Sequence, residues 1–386
     1  MQDGWRLTRR ALLRGGLGVA ALGLASACAP ASSTPLPTPA ATTPPTPPPP
    51  TAQAPVPTVA PTAAPAARAS GKIKLGWVAV SAANSAIWSA DAGGYLSRYG
   101  IDYELVGIQN SPQAVPAILS GEIPLNCGIS STDVIASVLQ GADLTFLAVT
   151  INTFPSSIMG QPGLTTPEAL KGTRIGVSRF GSASDTAARV YLKRQGLDPN
   201  SDVTLVQIGG TNETLAAMQT GQLDAGVLSP PVTTQAKQLG FTEVVDIGKL
   251  GIEYAYNGVA ADKKFIADNP DLVDNVLKAL IEAAHRFKTD PEFGKSTIQK
   301  FTKVDDNDIL QVTWEPFAAE YLRDRPFPTD AGMQTVLDEL GGSVEKARTA
   351  SPRDFYDDSM LKELDQSGFL RTTLGLRSTL VRTTPF

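Results

Sequence analysis

Ala117-Ile118-Leu119-Ser120-Gly121-Glu122-Ile123 returns 100 residues later as Ala217-Met218-Gln219-Thr220-Gly221-Gln222-Leu223. The correspondence extends outward from there. Leu75-Gly76 matches Ile175-Gly176, and Asp102, Leu105, Val106 and Ile108 match Asp202, Leu205, Val206 and Ile208. Only 8 of the 58 positions over 73–130 are identical, so the match rests on apolar positions and helix ends, which agree without a gap. Short apolar runs at 72–80, 102–108, 125–129 and 144–150 predict strands. Between them lie helical segments with defined ends. One runs from 85 to 99 and stops at Gly100; another has Ser111 as N-cap, Pro112 at the first helical position and Gly121 just past its end. Strands alternating with helices predict a parallel α/β sheet, and the repeat predicts a second unit of the same β-α-β-α-β kind.

In an open α/β sheet, ligands bind beyond the carboxyl ends of the strands. The repeat arranges those ends in matched pairs. Segment 80–85 pairs with 180–185, Gln109-Asn110-Ser111 with Gly209-Gly210-Thr211, and Ser130-Ser131 with Pro230-Pro231, which Ser229 precedes. Nearly all open a helix and carry hydroxyls, amides or glycine. A helix N-terminus presents unpaired N–H groups and about half a positive charge. Two sets of such ends across a cleft suit a small anionic or strongly polar ligand.

The chain has 386 residues, enough for two or three domains at about 150 residues each. Its net charge of -5 is unevenly spread: residues 1–27 carry +3, residues 28–70 carry +1, and residues 71–386 therefore carry -9. An acidic body excludes the basic face that nucleic acid requires. Two cysteines and one histidine exclude a disulfide scaffold, a Cys/His zinc site and a c-type haem site. No metal or cofactor is expected.

The first 70 residues predict an address and a tether. Thr8-Arg9-Arg10-Ala11-Leu12-Leu13-Arg14 resembles a twin-arginine export motif. The apolar run 17–24 is shorter than the ~20 residues that span a bilayer. It ends in Leu24-Ala25-Ser26-Ala27-Cys28, which resembles a bacterial lipobox, so an acylated Cys28 is expected as the mature N-terminus. The other cysteine, Cys127, reads as a buried thiol. Fourteen of the 30 prolines fall between Pro30 and Pro65, among Thr, Ala and Ser, so segment 28–70 has too few large apolar groups to fold. In polyproline II conformation it could hold a domain up to roughly 100 Å from a membrane.

The folded part resembles the substrate-binding proteins of ABC importers in the SsuA/THI5-like (NMT1-like) group, over about residues 71–345. The resemblance is carried by Gln113-Ala114-Val115, Leu119-Ser120-Gly121-Glu122-Ile123 and Gly141-Ala142-Asp143-Leu144. It continues through Leu170-Lys171-Gly172-Thr173-Arg174-Ile175-Gly176-Val177 and Gly181-Ser182-Ala183-Ser184-Asp185, then Gly196-Leu197-Asp198-Pro199 and Leu228-Ser229-Pro230-Pro231. The resemblance implies a periplasmic-binding-protein-like (type II) α/β fold. Two doubly wound lobes would be joined by a two-strand hinge, with the ligand in the cleft between them. Lobe I would be 71–158 plus a return segment and C-terminal helices, 259–386; lobe II would be 159–258. Crossovers are expected near 156–161 and 256–260. Pro270 would start a C-terminal helix whose stripe of Leu277, Leu280, Ile281 and Ala284 packs back on lobe I.

Gly181-Ser182-Ala183-Ser184-Asp185 is the strongest local signal for ligand contact. Glycine permits a tight turn whose N–H and O–H groups can surround an oxyanion; the same residues also serve as a helix cap, with Ser184 at the N-cap and Asp185 in the first turn. Arg179 reads either as the partner of a carboxylate, sulfonate or phosphate or as a surface ion pair. Asn152, Ser111, Ser130, Ser131 and Ser229 are strand-end or helix-start candidates for ligand contact, and each helix-start serine also reads as a plain cap. Trp88, Phe154, Phe180, Tyr254 and Tyr256 are candidates for an apolar wall, Trp88 also reading as core. His285 reads as half-buried packing or surface. Asp305-Asp306-Asn307-Asp308 fails calcium-loop spacing and reads as a solvated helix start.

These readings lead to a non-catalytic solute receptor. It would capture a sulfonate, carboxylate or pyrimidine-like solute outside the cell and deliver it, as a monomer on its lipid anchor, to an ABC permease and ATPase. A subunit feeding a membrane sensor is the neighbouring alternative. An enzyme is disfavoured. The pyrimidine synthases of the wider family consume a histidine and carry a cysteine-rich iron motif, whereas this chain has only His285 and no cysteine cluster. Its Gly181-Ser182-Ala183-Ser184-Asp185 also lacks the second glycine of a nucleophile elbow.

Overall fold

Strand register carries the repeat into three dimensions. Leu75 pairs with Leu105 and with Leu125, and Gly76 with Val106 and Asn126. Ile175 pairs with Leu205 and Ala225, and Gly176 with Val206 and Gly226. Every pairing recurs at the same spacing as the sequence repeat. The computed structural model describes residues 72–375. The twin-arginine stretch, Cys28, the proline-rich segment and residues 376–386 lie outside them.

The first copy runs β1 (Ile73–Val78), α1 (Ser85–Ala92), α2 (Tyr95–Arg98), β2 (Tyr103–Ile108), α3 (Ser111–Leu119), β3 (Leu125–Ser130), α4 (Ser131–Leu139) and β4 (Leu144–Ile151). The chain then passes to β5 (Ser157–Gly160) and the second copy. This comprises β6 (Arg174–Val177), α5 (Ala183–Arg194), β7 (Thr204–Gln207), α6 (Thr211–Gln219), β8 (Ala225–Leu228), α7 (Val232–Gln238) and β9 (Thr242–Asp246). It returns through β10 (Asn257–Asp262) to helices α8 (Lys263–Asp268), α9 (Pro270–Thr289), α10 (Pro291–Thr302), α11 (Asn307–Pro316) and α12 (Asp330–Leu340).

Two five-stranded sheets result, in the orders β2-β1-β3-β10-β4 and β7-β6-β8-β5-β9. Both are mixed, where alternation alone predicts parallel sheets. The reason is the crossover. β10 enters the first sheet from the far end and pairs antiparallel with β3 and β4; β5 does the same between β8 and β9. The segments expected as crossovers fall largely on these two strands, and the links themselves precede them, at 152–156 and 247–256.

The helix expected over 85–99 is two helices. Gly94 takes φ +66° between them, a conformation an L side chain resists, and the chain turns there. α3 starts at Ser111, one residue before the expected Pro112, because its N-cap is Asn110, whose side chain accepts the Gln113 N–H. Gly121, at φ +73°, ends the turn behind it. α9 buries its predicted stripe, and the core it joins includes Leu75 and Leu125 of the first sheet and Ile87 of α1. Cys127 is buried in the same core, and burial pushes its thiol up to about 12. Asp306 caps α11 by accepting the N–H groups of Asp308 and Ile309, which is the helix-start reading of that acidic run. Among the described residues, no helix is long and apolar enough to cross a membrane.

Candidate functional site

Ser81, Ser111, Ser182 and Ser229 come from four separated parts of the chain, two in each copy of the repeat. All four line one cavity of about 250 Å³. Each stands beyond a strand end where a helical segment begins. Ser81 caps the turn Ala82–Asn84 by accepting the Ala83 N–H at 3.2 Å. Ser111 opens α3, Ser182 is the N-cap residue of α5, and the Ser229 carbonyl accepts the first N–H of α7. Two walls thus bring helix starts to one space, and the partial positive charge of those ends converges there.

The second wall is built on the loop after β6. Gly181 adopts φ +71°, and its N–H donates to Asp185 Oδ2 at 3.0 Å. The other oxygen of Asp185 accepts from Arg189 Nε at 2.9 Å. Asp185 therefore braces the loop from behind. In front, the hydroxyls of Ser178, Ser182 and Ser184 form a triangle with edges of 2.9, 2.8 and 3.0 Å, and Ser184 Oγ also accepts the Ser178 N–H. Rotatable hydroxyls so linked can turn a proton or a lone pair toward the cavity.

The first wall is held by amides. Asn84 Nδ2 donates to the carbonyls of Val78, Ala79 and Ser81, pinning the end of β1, while its Oδ1 has no hydrogen-bond partner. A Cβ at Gly128 would lie 2.0 Å from that oxygen, so only glycine fits beside it. Asn257 reaches from β10 to donate to the Ala83 carbonyl at 3.1 Å. Ser111 Oγ accepts the Ser130 N–H at 3.2 Å, tying the starts of α3 and α4 together. Across the cavity, Asp133 in the first turn of α4 faces Arg179, with Oδ1 to Nη2 at 3.5 Å. Burial raises the Asp133 carboxyl, and Arg179 and Ser130 draw it partly back.

The family model described as NMT1/THI5 like matches residues 83–293, more than half of the chain. The chain belongs to the NMT1/THI5-like family. A Brucella abortus protein named as an inferred binding protein is 25% identical over 237 residues, spanning 60% of this chain and 72% of that one. Among solved structures, the periplasmic aliphatic sulphonate binding protein SsuA of Escherichia coli superimposes with a TM-score of 0.64 at 18% identity, covering 74% of this chain and 92% of its own. The periplasmic nitrate-binding protein NrtA of Synechocystis PCC 6803 gives 0.59 at 14% identity, covering 77% and 88%. At these identities the structures establish the shared fold, that of the periplasmic binding proteins.

Within this NMT1/THI5-like fold, Ser111, Ser130, Arg179, Gly181, Ser182, Ser184, Ser229 and Tyr256 line the cavity. Seven other candidates do not: Trp88, Ser131, Asn152, Phe154, Phe180, Asp185 and Tyr254. Trp88 is wholly buried in the first core, stacked on Phe301 at 4.8 Å. The Ser131 hydroxyl turns back to the Ala255 carbonyl. Asn152 donates to Glu253 and Thr329, both at 3.0 Å, and so ties down the link instead of facing the cleft. Asp185 is the brace described above. Tyr254 is buried against Phe154, rings 4.1 Å apart, and its hydroxyl meets that of Thr132 at 2.8 Å. These residues are spent on packing because a strand end or link must satisfy its own polar groups before it can offer any to a ligand. Phe180 is exposed, and His285 sits on α9 with Nδ1 3.7 Å from Asp324.

Asn84, Asp133, Ser178 and Asn257 line the cavity and were not among the candidates. Three had a signal. Asn84 lies inside the strand-end segment 80–85, Ser178 directly follows β6, and Asp133 sits in the first helical turn after Ser130-Ser131. Asn257 had none, since its place depends on β10 crossing back into the first sheet.

Proposed function

We propose that this chain is the solute-binding lipoprotein of an ABC importer, anchored through Cys28 and exported by the twin-arginine route. It captures a small polar or anionic organic solute, of sulfonate, carboxylate or pyrimidine-like kind, and presents it as a monomer to the permease. One observation carries this reading: a single cavity is lined from both sheets by the helix starts at Ser81, Ser111, Ser182 and Ser229. At about 250 Å³ the cavity has room for a small organic solute. The links at 152–156 and 247–256 are the places where a hinge would work, and ligand would favour closure by touching both walls at once. A non-catalytic role is supported by the position of His285, on α9 beside Asp324 and absent from the cavity lining, where it can take no proton from a bound solute.

A thermal-shift screen of sulfonates, carboxylates, pyrimidines and amino acids tests the reading. A true ligand at a hundredfold excess over its Kd is expected to stabilise the fold by about 2.7 kcal/mol. At roughly 2–4 °C per kcal/mol that is a rise of several degrees. Absence of a shift with every small solute would count against solute capture.

A further inference from the structure

Of the residues that line the cavity, two are charged, Asp133 and Arg179, one on each wall, and they face each other at 3.5 Å. We infer that the solute is dipolar, carrying a cationic group for Asp133 and an oxyanion for Arg179, and that it replaces the bridge between them. This rests on the solute-binding reading above and narrows it to a ligand class.

The two partners are unequally solvated. The Asp133 side chain is 18% exposed and that of Arg179 is 53% exposed. A purely anionic solute that engaged Arg179 would take the guanidinium from Asp133. It would leave a largely buried carboxylate without its counter-charge and would place a second negative group beside it. A purely cationic solute would satisfy Asp133 but leave the hydroxyls and helix start around Ser182 and Ser184 without an acceptor to serve. A solute with both charges keeps every ionised group paired, and turns one long bridge into two charge-assisted contacts.

Neutral polar groups stand on both walls and can serve both ends of such a solute. On the Asp133 side, Asn84 is 2% exposed, lines the cavity and holds an acceptor, Oδ1, with no partner. All three of its Nδ2 contacts are to carbonyls, so the amide cannot turn round without losing them. Its Oδ1 packs beside Gly128, so the acceptors that this wall offers an ammonium next to Asp133 are the hydroxyl oxygens of Ser111, Ser130 and Thr132. On the Arg179 side stand the guanidinium, the serine hydroxyls and the N-terminus of a 12-residue helix, all of which can donate to an oxyanion.

The test is calorimetry at low salt on the mature chain with matched probes: ω-amino sulfonates and ω-amino carboxylates with two to four carbons, the same chains lacking the amine, and the same chains lacking the oxyanion. The sulfonate and carboxylate arms separate the two oxyanion sources. A dipolar member is expected to bind roughly 30-fold more tightly than either singly charged parent, the worth of one added charged contact. In Asp133→Asn, which keeps the shape, that advantage is expected to shrink to a few-fold while the amine-free anion binds as well as before or better, Arg179 having lost its competitor. Arg179→Gln is expected to weaken the dipolar probe and to leave the amine alone. An amine-free anion binding wild type as tightly as its dipolar partner overturns the inference. So does equal weakening of both by Asp133→Asn, or binding by no dipolar probe. If the wider screen finds a tight ligand with one charge or none, the inference fails while solute capture stands; if it finds no ligand at all, solute capture fails first.

Discussion

Trp88→Ala is expected to lower the melting temperature by on the order of 10 °C, while the affinity of the folded protein for its solute stays unchanged. The tryptophan is completely buried, its ring parallel to Phe301 of α10 at 4.8 Å and edge-on to Trp77 of β1 at 5.4 Å. Phe301 in turn meets Trp77 edge-on at 6.0 Å, closing a three-ring cluster between the first sheet and the C-terminal helices. Truncating an aromatic core residue to alanine costs about 3–5 kcal/mol, through lost burial and the cavity left behind. At roughly 2–4 °C per kcal/mol that gives the stated shift. Trp88→Phe is the control. The indole Nε1 is buried without a partner, so phenylalanine removes an unsatisfied donor as it removes volume, and the loss should be much smaller. Thermal melting followed by calorimetric titration of both variants with one solute reads both quantities. A solute affinity that fell with Trp88→Ala while Trp88→Phe kept it would put the ring back among the binding residues.

Trp88 also marks the limit of what periodicity conveys. Its place on the first helix was legible, and so was the repeat, whose matched positions take the same register in both sheets, Leu75 with Leu105 and Ile175 with Leu205. These depend on local pattern: alternating apolar runs, Pro112 at a helix start, Gly121 at a helix end. The direction a side chain takes from its element was not legible. Ser130 and Ser131 are neighbours, yet one lines the cavity and the other turns to the Ala255 carbonyl of the returning link. That carbonyl is 124 residues away, and nothing near Ser131 announces it. The mixed sheets have the same origin. β5 and β10 are marked beforehand only as crossover segments, near 156–161 and 256–260, and their antiparallel insertion follows from the chain changing sheets twice. The site suffered most, because it is made where these long-range events meet: Asn257 enters on a crossover strand, and the Asp133–Arg179 bridge joins groups 46 residues apart.

The stability of Glu339→Gln should differ from wild type only above mildly acid pH, where the variant should be the more stable by up to about 3 kcal/mol. Glu339 lies on α12, whose Met333, Val336 and Leu337 pack into one core with Val177, Ala187, Ala188 and Tyr191 of the second copy. Both its carboxylate oxygens are buried without a hydrogen-bond partner. Burial pushes its pKa from 4.5 to about 7; the Thr186 hydroxyl lowers it, Asp185 raises it further, and Arg189 lowers it. A carboxyl raised in the folded state holds its proton there while the unfolded chain has released it. Between pH 4.5 and about 7 the folded state therefore binds more protons, and stability falls as pH rises through that window. Below 4.5 the group is neutral in both states and costs nothing by this route. Above 7 it is ionised in both, and the full desolvation penalty remains. Glutamine reproduces the protonated acid in shape and charge, so the two proteins should coincide below pH 4.5, diverge up to about pH 7 and keep a constant difference beyond it. Urea unfolding at intervals across this range gives the difference directly, since groups elsewhere contribute equally to both curves and cancel. Parallel curves, offset by the same amount at every pH, would mean that Glu339 titrates in the folded protein as it does in the open chain.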